Sequence, residues 1–386
     1  MLSKGGFLIH QDQLRVVHVA EDMAQIAGGI PAVVRQLTER LSLKGITAQI
    51  VHATGDCSDI SSSVEVFNYP PTRLGQAWSW GSTLREGVAH LSVASTNDAP
   101  VFHVHGAWSA PQYFAARAAY QANIPFIFSA HGMLEPWLWE QQGWKTRAKK
   151  RAYWSALAYP SLNKANVIHA ITPFEREHLR HLFPKKNIEV IPNAIDVNDE
   201  IDCPCNERDR VILFLGRIEP KKGVDVLLHA FARAKISKEW SVDIVGPAWS
   251  KAYLSELKKI VTKFNLEKRV RFLGPLFGEE KLKLIETAWV LAVPSHSEVV
   301  GLVNLEASAQ CLPTITTHQT GLYDWEEGGG LLVEPSIASF GRALEVACSW
   351  NEQEQRERGI ASRRLVIQRY SWQAVMPIWS QLYSSL

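Results

Sequence analysis

Short apolar, β-branched runs alternate along the chain with longer segments whose apolar residues recur at helical spacing. This alternation predicts parallel sheets with helices on both faces. The first half has predicted strands at 15–19, 48–52, 101–104, 126–129, 167–170 and 189–191, and helices at 32–43, 112–123 and 173–182. The pattern then restarts, with strands at 211–215, 241–245, 270–273, 289–293 and 313–316 and helices at 224–234, 253–264, 302–309 and 339–348.

The restart favours two doubly wound α/β domains over a single barrel. A length of 386 residues fits two domains at about 150 residues each. Residues 193–210 are rich in Asp, Asn, Pro and Cys and poor in large apolar side chains, which is typical of a linker. We therefore predict an N-terminal domain over 1–205 and a C-terminal domain over 206–369, with their strand ends facing across a cleft. Ligands of such sheets bind beyond the carboxyl ends of the strands.

Charge and composition exclude several classes of protein. The chain has 41 Lys plus Arg and 39 Asp plus Glu, a net charge of +2, which argues against a dedicated nucleic-acid binder. Its longest uncharged stretches, 99–116 and 118–134, are interrupted by Pro, His, Gln or Gly and do not predict a membrane-spanning helix. Five cysteines, with no Cys-x-x-Cys and no secretory leader, predict a cytoplasmic protein with free thiols and no zinc site.

Several common motifs are missing from the sequence. It has neither G-x-G-x-x-G after the first strand nor G-x-x-x-x-G-K-[ST], which disfavours dinucleotide and P-loop chemistry. It has no G-x-S-x-G, which disfavours an α/β-hydrolase. Without an Asp-x-Asp pair, there is no evident local carboxylate clamp for a metal–diphosphate complex.

Two cations follow the first strand of the second half. Arg217 comes directly after Gly216 at the strand end, and Lys222 precedes Gly223 at a predicted helix start. Arginine suits a forked contact with phosphate oxygens, lysine acts as a point charge, and a helix N-terminus adds N–H donors. These residues predict an anion site, with a solvated basic loop as the alternative.

Two carboxylates flank a second strand–loop–helix junction. Glu298 lies in the loop and Glu306 about one turn into the helix. An ionised carboxylate accepts hydrogen bonds from two neighbouring hydroxyls, so the pair suits a ligand with two diol groups. We expect the backbone amides of Gly301, Leu302 and Val303 to face a phosphate from the helix N-terminus. The alternative is that both residues are ordinary helix charges.

The ordered motifs closely resemble family 4 of the retaining glycosyltransferases, which have the GT-B fold. The second half carries G-R-x-x-x-x-K-G at 216–223, V-G-P at 245–247, V-R-F-L-G at 270–274 and P-S-x-S-E-x-x-G-L-x-x-x-E-A at 294–307. The first half carries A-G-G-I at 27–30, H-V-H-G at 103–106, A-H-G at 130–132 and I-P-N-A-I-D at 191–196. The resemblance extends from about residue 16 to residue 370.

The resemblance implies a role for each matching residue. Arg217 and Lys222 would hold the donor diphosphate, Glu298 the donor sugar and Glu306 the ribose. His131 would act near the anomeric centre. The remaining implied substrate contacts are Gly28, Gly29, His105, Gly216, Gly246, Gly301, Leu302 and Val303. Of His103 and His105, we expect one to line the acceptor side and the other to pack inward, on the ground that alternate strand residues face opposite ways.

The activity that the resemblance implies is metal-independent, retaining transfer of a hexosyl group from a UDP-sugar. The acceptor would be a glycan or a lipid-linked hydroxyl, in the assembly of a surface polysaccharide, and no cofactor is expected. The resemblance also implies that residues 370–386 form a helix packed on the N-terminal domain. A sugar-nucleotide epimerase of the same fold and a non-catalytic nucleotide-sugar-binding protein are the alternatives.

A basic, tryptophan-rich segment lies in the predicted acceptor domain, from Trp137 to Trp154. Five cations fall within residues 145–151, flanked by tryptophan and tyrosine. Basic residues with interfacial aromatics favour contact with an anionic membrane surface. We therefore predict peripheral contact with the inner leaflet, with a solvated helix over core tryptophans as the alternative.

Overall fold

The computed structural model describes residues 14–24, 29–92, 99–135, 143–198, 203, 208–322 and 324–386. The chain packs as two compact units. Unit 1 comprises Met1–Pro192 and Val375–Leu386, and unit 2 comprises Asn193–Ala374. The C-terminal segment therefore returns to unit 1, as expected.

Unit 1 contains a seven-stranded parallel sheet in the order β3-β2-β1-β4-β5-β6-β7. Its strands are β1 Leu14–Val19, β2 Thr47–His52, β3 Glu65–Asn68, β4 Ala99–His105, β5 Phe126–Ser129, β6 Val167–Ala170 and β7 Asn187–Val190. Its helices are α1 Gly29–Leu43, α2 Ser82–Leu91, α3 Ala110–Gln121, α4 Trp144–Tyr153, α5 Tyr159–Leu162 and α6 Pro173–Leu182, with a π-helical turn at Trp154–Ala158 between α4 and α5. Strands β2 and β3 are added on one side of β1, and β4 to β7 on the other side. The direction of strand addition therefore reverses between β1 and β4.

Unit 2 repeats this plan in a six-stranded parallel sheet, in the order β10-β9-β8-β11-β12-β13. Its strands are β8 Val211–Leu215, β9 Ser241–Val245, β10 Val270–Gly274, β11 Val290–Val293, β12 Thr314–Thr317 and β13 Leu331–Val333. Its helices are α7 Val224–Arg233, α8 Lys251–Lys263, α9 Gly278–Thr287, α10 Leu302–Ala309, α11 Ile337–Ser349 and α12 Glu352–Tyr370. The last helix, α13 Trp372–Ser384, carries the chain into unit 1. The reversal lies between β8 and β11.

The predicted class, two Rossmann-like parallel sheets with helices, is confirmed. The sequence pattern missed β3 and β13. β3 is a four-residue strand at the edge of its sheet with no fully buried side chain, and β13 is only three residues long. Edge strands of this length carry too little apolar periodicity to be recognised.

The expectation that all five cysteines are free thiols is wrong. Cys203, in the predicted linker, forms a disulfide with Cys311, which follows α10. The two are 108 residues apart in the chain, so their proximity depends on the fold and not on a recognisable spacing. Cys57 and Cys348 are free; Cys205 lies outside the described residues.

Candidate functional site

The motif residues of unit 2 converge where strand addition reverses. Arg217 and Lys222 follow β8, and Glu298 and Gly301 follow the neighbouring strand β11. In a doubly wound sheet, this switch point is where loops from adjacent strands diverge and leave a crevice for a ligand. These charged motif residues of unit 2 therefore follow strands, as the sequence predicts.

Close backbone contacts explain two glycines at this edge. Gly246 has a φ of 143°, and a Cβ there would lie 1.9 Å from the carbonyl oxygen of Gly216. Gly223 has a φ of 67°, and its Cβ would lie 2.2 Å from the carbonyl oxygen of Pro294. Only glycine fits such positions. These glycines bring the loops after β8, β9 and β11 close together, so they shape the site through packing.

An ion pair joins the two strand-end loops. The Nζ of Lys222 lies 2.8 Å from Oε2 of Glu298, and the Ser295 hydroxyl donates to Oε1 of the same carboxylate at 2.5 Å. The side chains of Lys222 and Glu298 are 17% and 10% exposed. A largely buried pair of this kind has a defined geometry, and it places a cation and a hydroxyl acceptor side by side.

The other two charged residues of the site are more open. The Arg217 side chain is 64% exposed and lies 3.4 Å from Glu219, so its guanidinium is accessible to an anion. The carboxylate of Glu306, on α10, pairs with Lys281 of α9 at 2.5 Å. A diol that used Glu306 as its acceptor would compete with Lys281.

The three predicted backbone amides are not equally available. The N–H of Gly301 donates to the carbonyl of Thr320 and that of Leu302 to the carbonyl of Val300. Val303 lies in the first turn of α10, where the helical pattern offers its N–H no acceptor. Of the three, it is Val303 whose N–H the helix leaves to a ligand.

In unit 1, His131 lies at the end of β5, one strand beyond the switch point between β1 and β4. His131 follows β5 directly and has a φ of 52°, with Gly132 next to it at 70°. A left-handed conformation is uncommon for a residue with a side chain and has to be held by its surroundings. Glu175 of α6 does so, since its buried carboxylate accepts from the N–H of Gly132 at 2.6 Å and from that of Ile171 at 2.7 Å.

The expectation that His103 and His105 face opposite ways is wrong. Residues two apart in a strand point to the same face, and the centroids of the two rings lie 3.9 Å apart, with their planes tilted by 32°. His105 is 1% exposed, with one ring nitrogen bonded to His131 and the other to His18. It is therefore not placed to touch a substrate itself; the accessible member of this group is His131, which is only partly buried.

The glycine loop after β1 is only partly described. Gly28 lies outside the described residues. Gly29 begins α1, is exposed, and would place a Cβ within 4 Å of nothing in the described part of the chain. The described fold thus gives no packing reason for glycine at this position, in contrast to Gly246.

Gly29→Ala is expected to leave the free energy of unfolding unchanged or to raise it by up to about 1 kcal/mol, because alanine has a higher helix propensity than glycine. If the bare backbone is reserved for a substrate, the same change lowers kcat/KM about tenfold or more. Urea unfolding and donor turnover measure the two effects separately. Loss of stability in parallel with turnover would assign Gly29 a packing role.

Sequence reasoning missed four residues that complete these sites: Ser295, Lys281, Glu175 and His18. Ser295 stands inside the P-S-x-S-E motif and was recognisable there. Lys281, Glu175 and His18 reach their partners from other elements, so no local signal marks them.

The two parallel, Rossmann-like sheets have the organisation of the GT-B glycosyltransferase fold. A family model described as "Glycosyltransferase Family 4" matches residues 27–199, and one described as "Glycosyl transferases group 1" matches residues 199–362. The chain belongs to glycosyltransferase family 4.

Curated relatives and solved structures agree with this assignment. A D-inositol 3-phosphate glycosyltransferase of Corynebacterium efficiens is 30% identical over 45% of this chain and 42% of its own length. Its match thus spans less than half of that relative. The crystal structure of Anabaena HepE in complex with UDP and glucose has a TM-score of 0.73 and 19% identity, covering 96% of this chain and 100% of that one. WaaG, a glycosyltransferase involved in lipopolysaccharide biosynthesis, has a TM-score of 0.68 and 14% identity, covering 96% and 99%.

The basic segment is partly described, since Trp137 lies outside the described residues. Trp144 opens α4 and is 71% exposed, whereas Trp154 packs against the core of unit 1. The cations Lys145, Arg147, Lys149 and Arg151 are all exposed, and α4 has no acidic residue. Among the described helices, none has the length and hydropathy needed to cross a bilayer.

Proposed function

We propose that the chain transfers a hexosyl group, with retention of anomeric configuration and without a metal ion, from a UDP-sugar to a hydroxyl of a glycan or lipid-linked acceptor. The observation that carries the proposal is the Lys222–Glu298 pair at the switch point of unit 2. It sets a cation for a diphosphate beside a carboxylate for sugar hydroxyls. The UDP and glucose in the HepE structure support the choice of donor, and the WaaG likeness supports a role in surface polysaccharide assembly.

The chemistry follows from the charges present. The bond between the anomeric carbon and the diphosphate breaks, and the leaving UDP gains negative charge that Arg217 and Lys222 neutralise. The acceptor oxygen bonds to the anomeric carbon on the face that UDP leaves, and its proton passes to a phosphate oxygen. Two side-chain cations do the work that an Asp-x-Asp–metal complex would do elsewhere, and this is the basis for proposing metal independence.

The remaining residues bind and orient the donor. Glu298 accepts hydrogen bonds from the sugar, held in place by Ser295. Glu306 accepts from the ribose after releasing Lys281, and the N–H of Val303 faces the diphosphate. By resemblance to the family, His131 at the end of β5 contacts the donor sugar near its anomeric carbon.

A donor panel tests the proposal. UDP release is measured from a set of UDP-sugars with EDTA present, first without an acceptor and then with simple glycan and lipid-linked acceptors. The expected result is slow hydrolysis of one UDP-sugar, acceleration by an acceptor, and an NMR spectrum of the product that shows the donor's anomeric configuration. A product with inverted configuration would contradict retention, and activity lost in EDTA and restored by Mg²⁺ would contradict metal independence.

The two alternatives, an epimerase and a non-catalytic binding protein, give different results in this assay. An epimerase converts the UDP-sugar to its isomer without an acceptor, and a non-catalytic binding protein binds the donor without turnover. Both are read in the same assay by separating nucleotide sugars from free UDP.

We further propose that α4 contacts an anionic membrane surface, which would place the enzyme on the cytoplasmic face of the inner membrane beside a lipid-linked acceptor. The support is its exposed Trp144 and its run of cations, with no acidic residue within α4 itself. Each Lys or Arg near such a surface contributes about 1 kcal/mol.

Reversing two of these charges, Lys145→Glu with Lys149→Glu, is expected to weaken binding to phosphatidylglycerol vesicles by about tenfold or more. Lys258→Glu with Lys259→Glu, on exposed positions of α8 in unit 2, is the matched control and leaves binding unchanged. Cosedimentation measures both. Equal binding to uncharged phosphatidylcholine vesicles, or equal loss in both double variants, would contradict the contact.

A further inference from the structure

Five histidines of unit 1 form two hydrogen-bonded chains on one side of the sheet, close to its switch point. Four of them lie in strands and are buried, and His131 follows a strand; the set is His18, His103, His105, His131 and His169. Burial lowers the pKa of His18 and His131 to about 3 and that of His169 to about 4, and it holds those of His103 and His105 well below the usual range. All five rings are therefore neutral at pH 7, and each carries one N–H.

The first chain has a direction that a carbonyl fixes. The carbonyl of Ile191 can only accept, so Nε2 of His169 donates to it at 2.7 Å and Nδ1 of His169 accepts from the Ser129 hydroxyl at 2.7 Å. The Ser129 oxygen then accepts from Nε2 of His103 at 2.7 Å, and Nδ1 of His103 accepts from the hydroxyl of Tyr383 on α13 at 2.6 Å. Every proton of this chain is assigned, and it ties the C-terminal helix to the sheet.

The second chain leads to the candidate catalytic residue. Nδ1 of His18 lies 3.0 Å from Nε2 of His105, and Nδ1 of His105 lies 2.9 Å from Nε2 of His131. Nε2 of His18 is buried and has no partner among the described residues. Two neutral arrangements are possible, and they differ in what remains at that orphaned nitrogen.

The two arrangements do not cost the same. If the N–H groups donate in the direction from His131 to His18, Nε2 of His18 carries a buried N–H without an acceptor. If they donate in the direction from His18 to His131, Nε2 of His18 carries only a lone pair. Orphaned buried N–H groups are rarer in proteins than under-satisfied acceptors. The favoured direction makes Nδ1 of His105 the donor and Nε2 of His131 the acceptor.

We infer that His105 is a positioning residue that fixes His131 in its Nδ1–H tautomer, so that His131 presents a hydrogen-bond donor to the substrate. His18 supports it by donating to the other nitrogen of His105. The inference deepens the proposed function, on which the role of His131 rests. It makes His131 a neutral donor to a sugar hydroxyl or phosphate oxygen and assigns it no proton transfer.

A metal site is the competing use of these residues. The ring nitrogens of His18, His103 and His105 lie within 4.8 Å of one another. Both nitrogens of His103 are already engaged, with Tyr383 and Ser129, so a metal would have to break the assigned chain. The geometry therefore favours the hydrogen-bonded arrangement.

The test is the tautomer itself, measured on the full chain labelled with ¹⁵N-histidine. Two-bond ¹⁵N–¹H correlation spectra distinguish Nδ1–H from Nε2–H imidazole, and a His131→Ala variant assigns the His131 signals. We expect wild-type His131 to be the Nδ1–H tautomer. His105→Leu releases it to a mixture with Nε2–H and lowers kcat about tenfold or more at nearly unchanged KM, the size of effect seen when outer partners of a functional histidine are lost.

Two further variants separate positioning from folding. His105→Asn keeps an N–H near the place of Nδ1 and is expected to restore both the tautomer and most of kcat. Tyr383→Phe breaks only the first chain and is expected to lower stability without moving the His131 signals. If His105→Leu does not fold, His105→Asn and the wild-type spectrum still decide the question.

An Nε2–H tautomer on wild-type His131 would overturn the inference, and so would an unchanged tautomer in His105→Leu. Stoichiometric zinc in the purified wild type would overturn it as well, because the histidines would then be ligands. The spectra need no turnover. A failed donor panel with the expected tautomer would therefore reject the proposed function alone, and an active enzyme with the opposite tautomer would reject this inference alone.

Discussion

Lys222→Ala is expected to lower kcat/KM for the donor sugar by about 10²- to 10³-fold, the loss typical of removing one preorganised group that stabilises a developing anion. Lys222 is the largely buried cation at the switch point of unit 2, and its Nζ lies 2.8 Å from Glu298. Removing it also takes away the cation in direct contact with the Glu298 carboxylate, which is 10% exposed and keeps the Ser295 hydroxyl as a donor. We therefore expect a loss of stability together with the loss of turnover.

The two effects can be separated. In the double variant Lys222→Ala with Glu298→Gln, no charge is left unpaired, so stability is expected to recover while turnover stays low. Lys268→Ala is the control for removing a lysine. Lys268 is exposed and precedes β10, so it lies at the amino ends of the strands, whereas the site lies beyond their carboxyl ends. Steady-state kinetics and urea unfolding measure the set. Full turnover in the double variant would show that Lys222 serves only to neutralise Glu298.

Glu175→Gln is expected to remove a pH dependence of about 3 kcal/mol from the stability of the protein. Burial raises the pKa of Glu175 from 4.5 to about 7, although two backbone N–H donors oppose the shift, and each pKa unit corresponds to about 1.4 kcal/mol. The folded state binds this proton more tightly than the unfolded state. The stabilising contribution is therefore complete below pH 4.5 and is lost as the pH rises toward 7.

Stability and activity should move in opposite directions in this variant. At pH 8 the glutamine carries no buried charge, so Glu175→Gln is expected to be at least as stable as the wild type. Its amide can accept only one of the N–H groups of Gly132 and Ile171, so the left-handed turn at His131 loosens, and kcat falls about tenfold. The difference in urea midpoint between the two proteins from pH 4.5 to 8 isolates Glu175. A difference that does not change over this range would mean that the carboxyl titrates normally.

The fold was largely predictable because both sheets are parallel and buried on both faces. Strands such as Val211–Leu215 are nearly continuous apolar runs between helical segments, and such a pattern is hard to mistake. The strands that escaped prediction, Glu65–Asn68 and Leu331–Val333, are short. The C-terminal return to unit 1 was inferred from family resemblance, since no local pattern states where a helix packs.

The site was predictable where its residues are adjacent in sequence. Arg217, Lys222 and Glu298 sit in strand-end motifs, and the fold brings two of them into contact. The partners contributed by other elements were not predictable, since Lys281 and Glu175 are ordinary helical charges until the chain folds. The prediction that His103 and His105 face opposite ways was wrong because the two residues are two apart in a strand, and such residues share a face.

Isothermal titration calorimetry of the purified chain with UDP, GDP and ADP, in EDTA, tests the central claim most directly. It asks whether the strand-end residues of unit 2 bind a nucleoside diphosphate without a metal, and it requires no knowledge of the acceptor. We predict one UDP bound per chain, binding weakened about tenfold or more by Lys222→Ala, and no change with Lys268→Ala. Failure of all three nucleotides to bind, or binding that Lys222→Ala leaves intact, would contradict the assignment of this site.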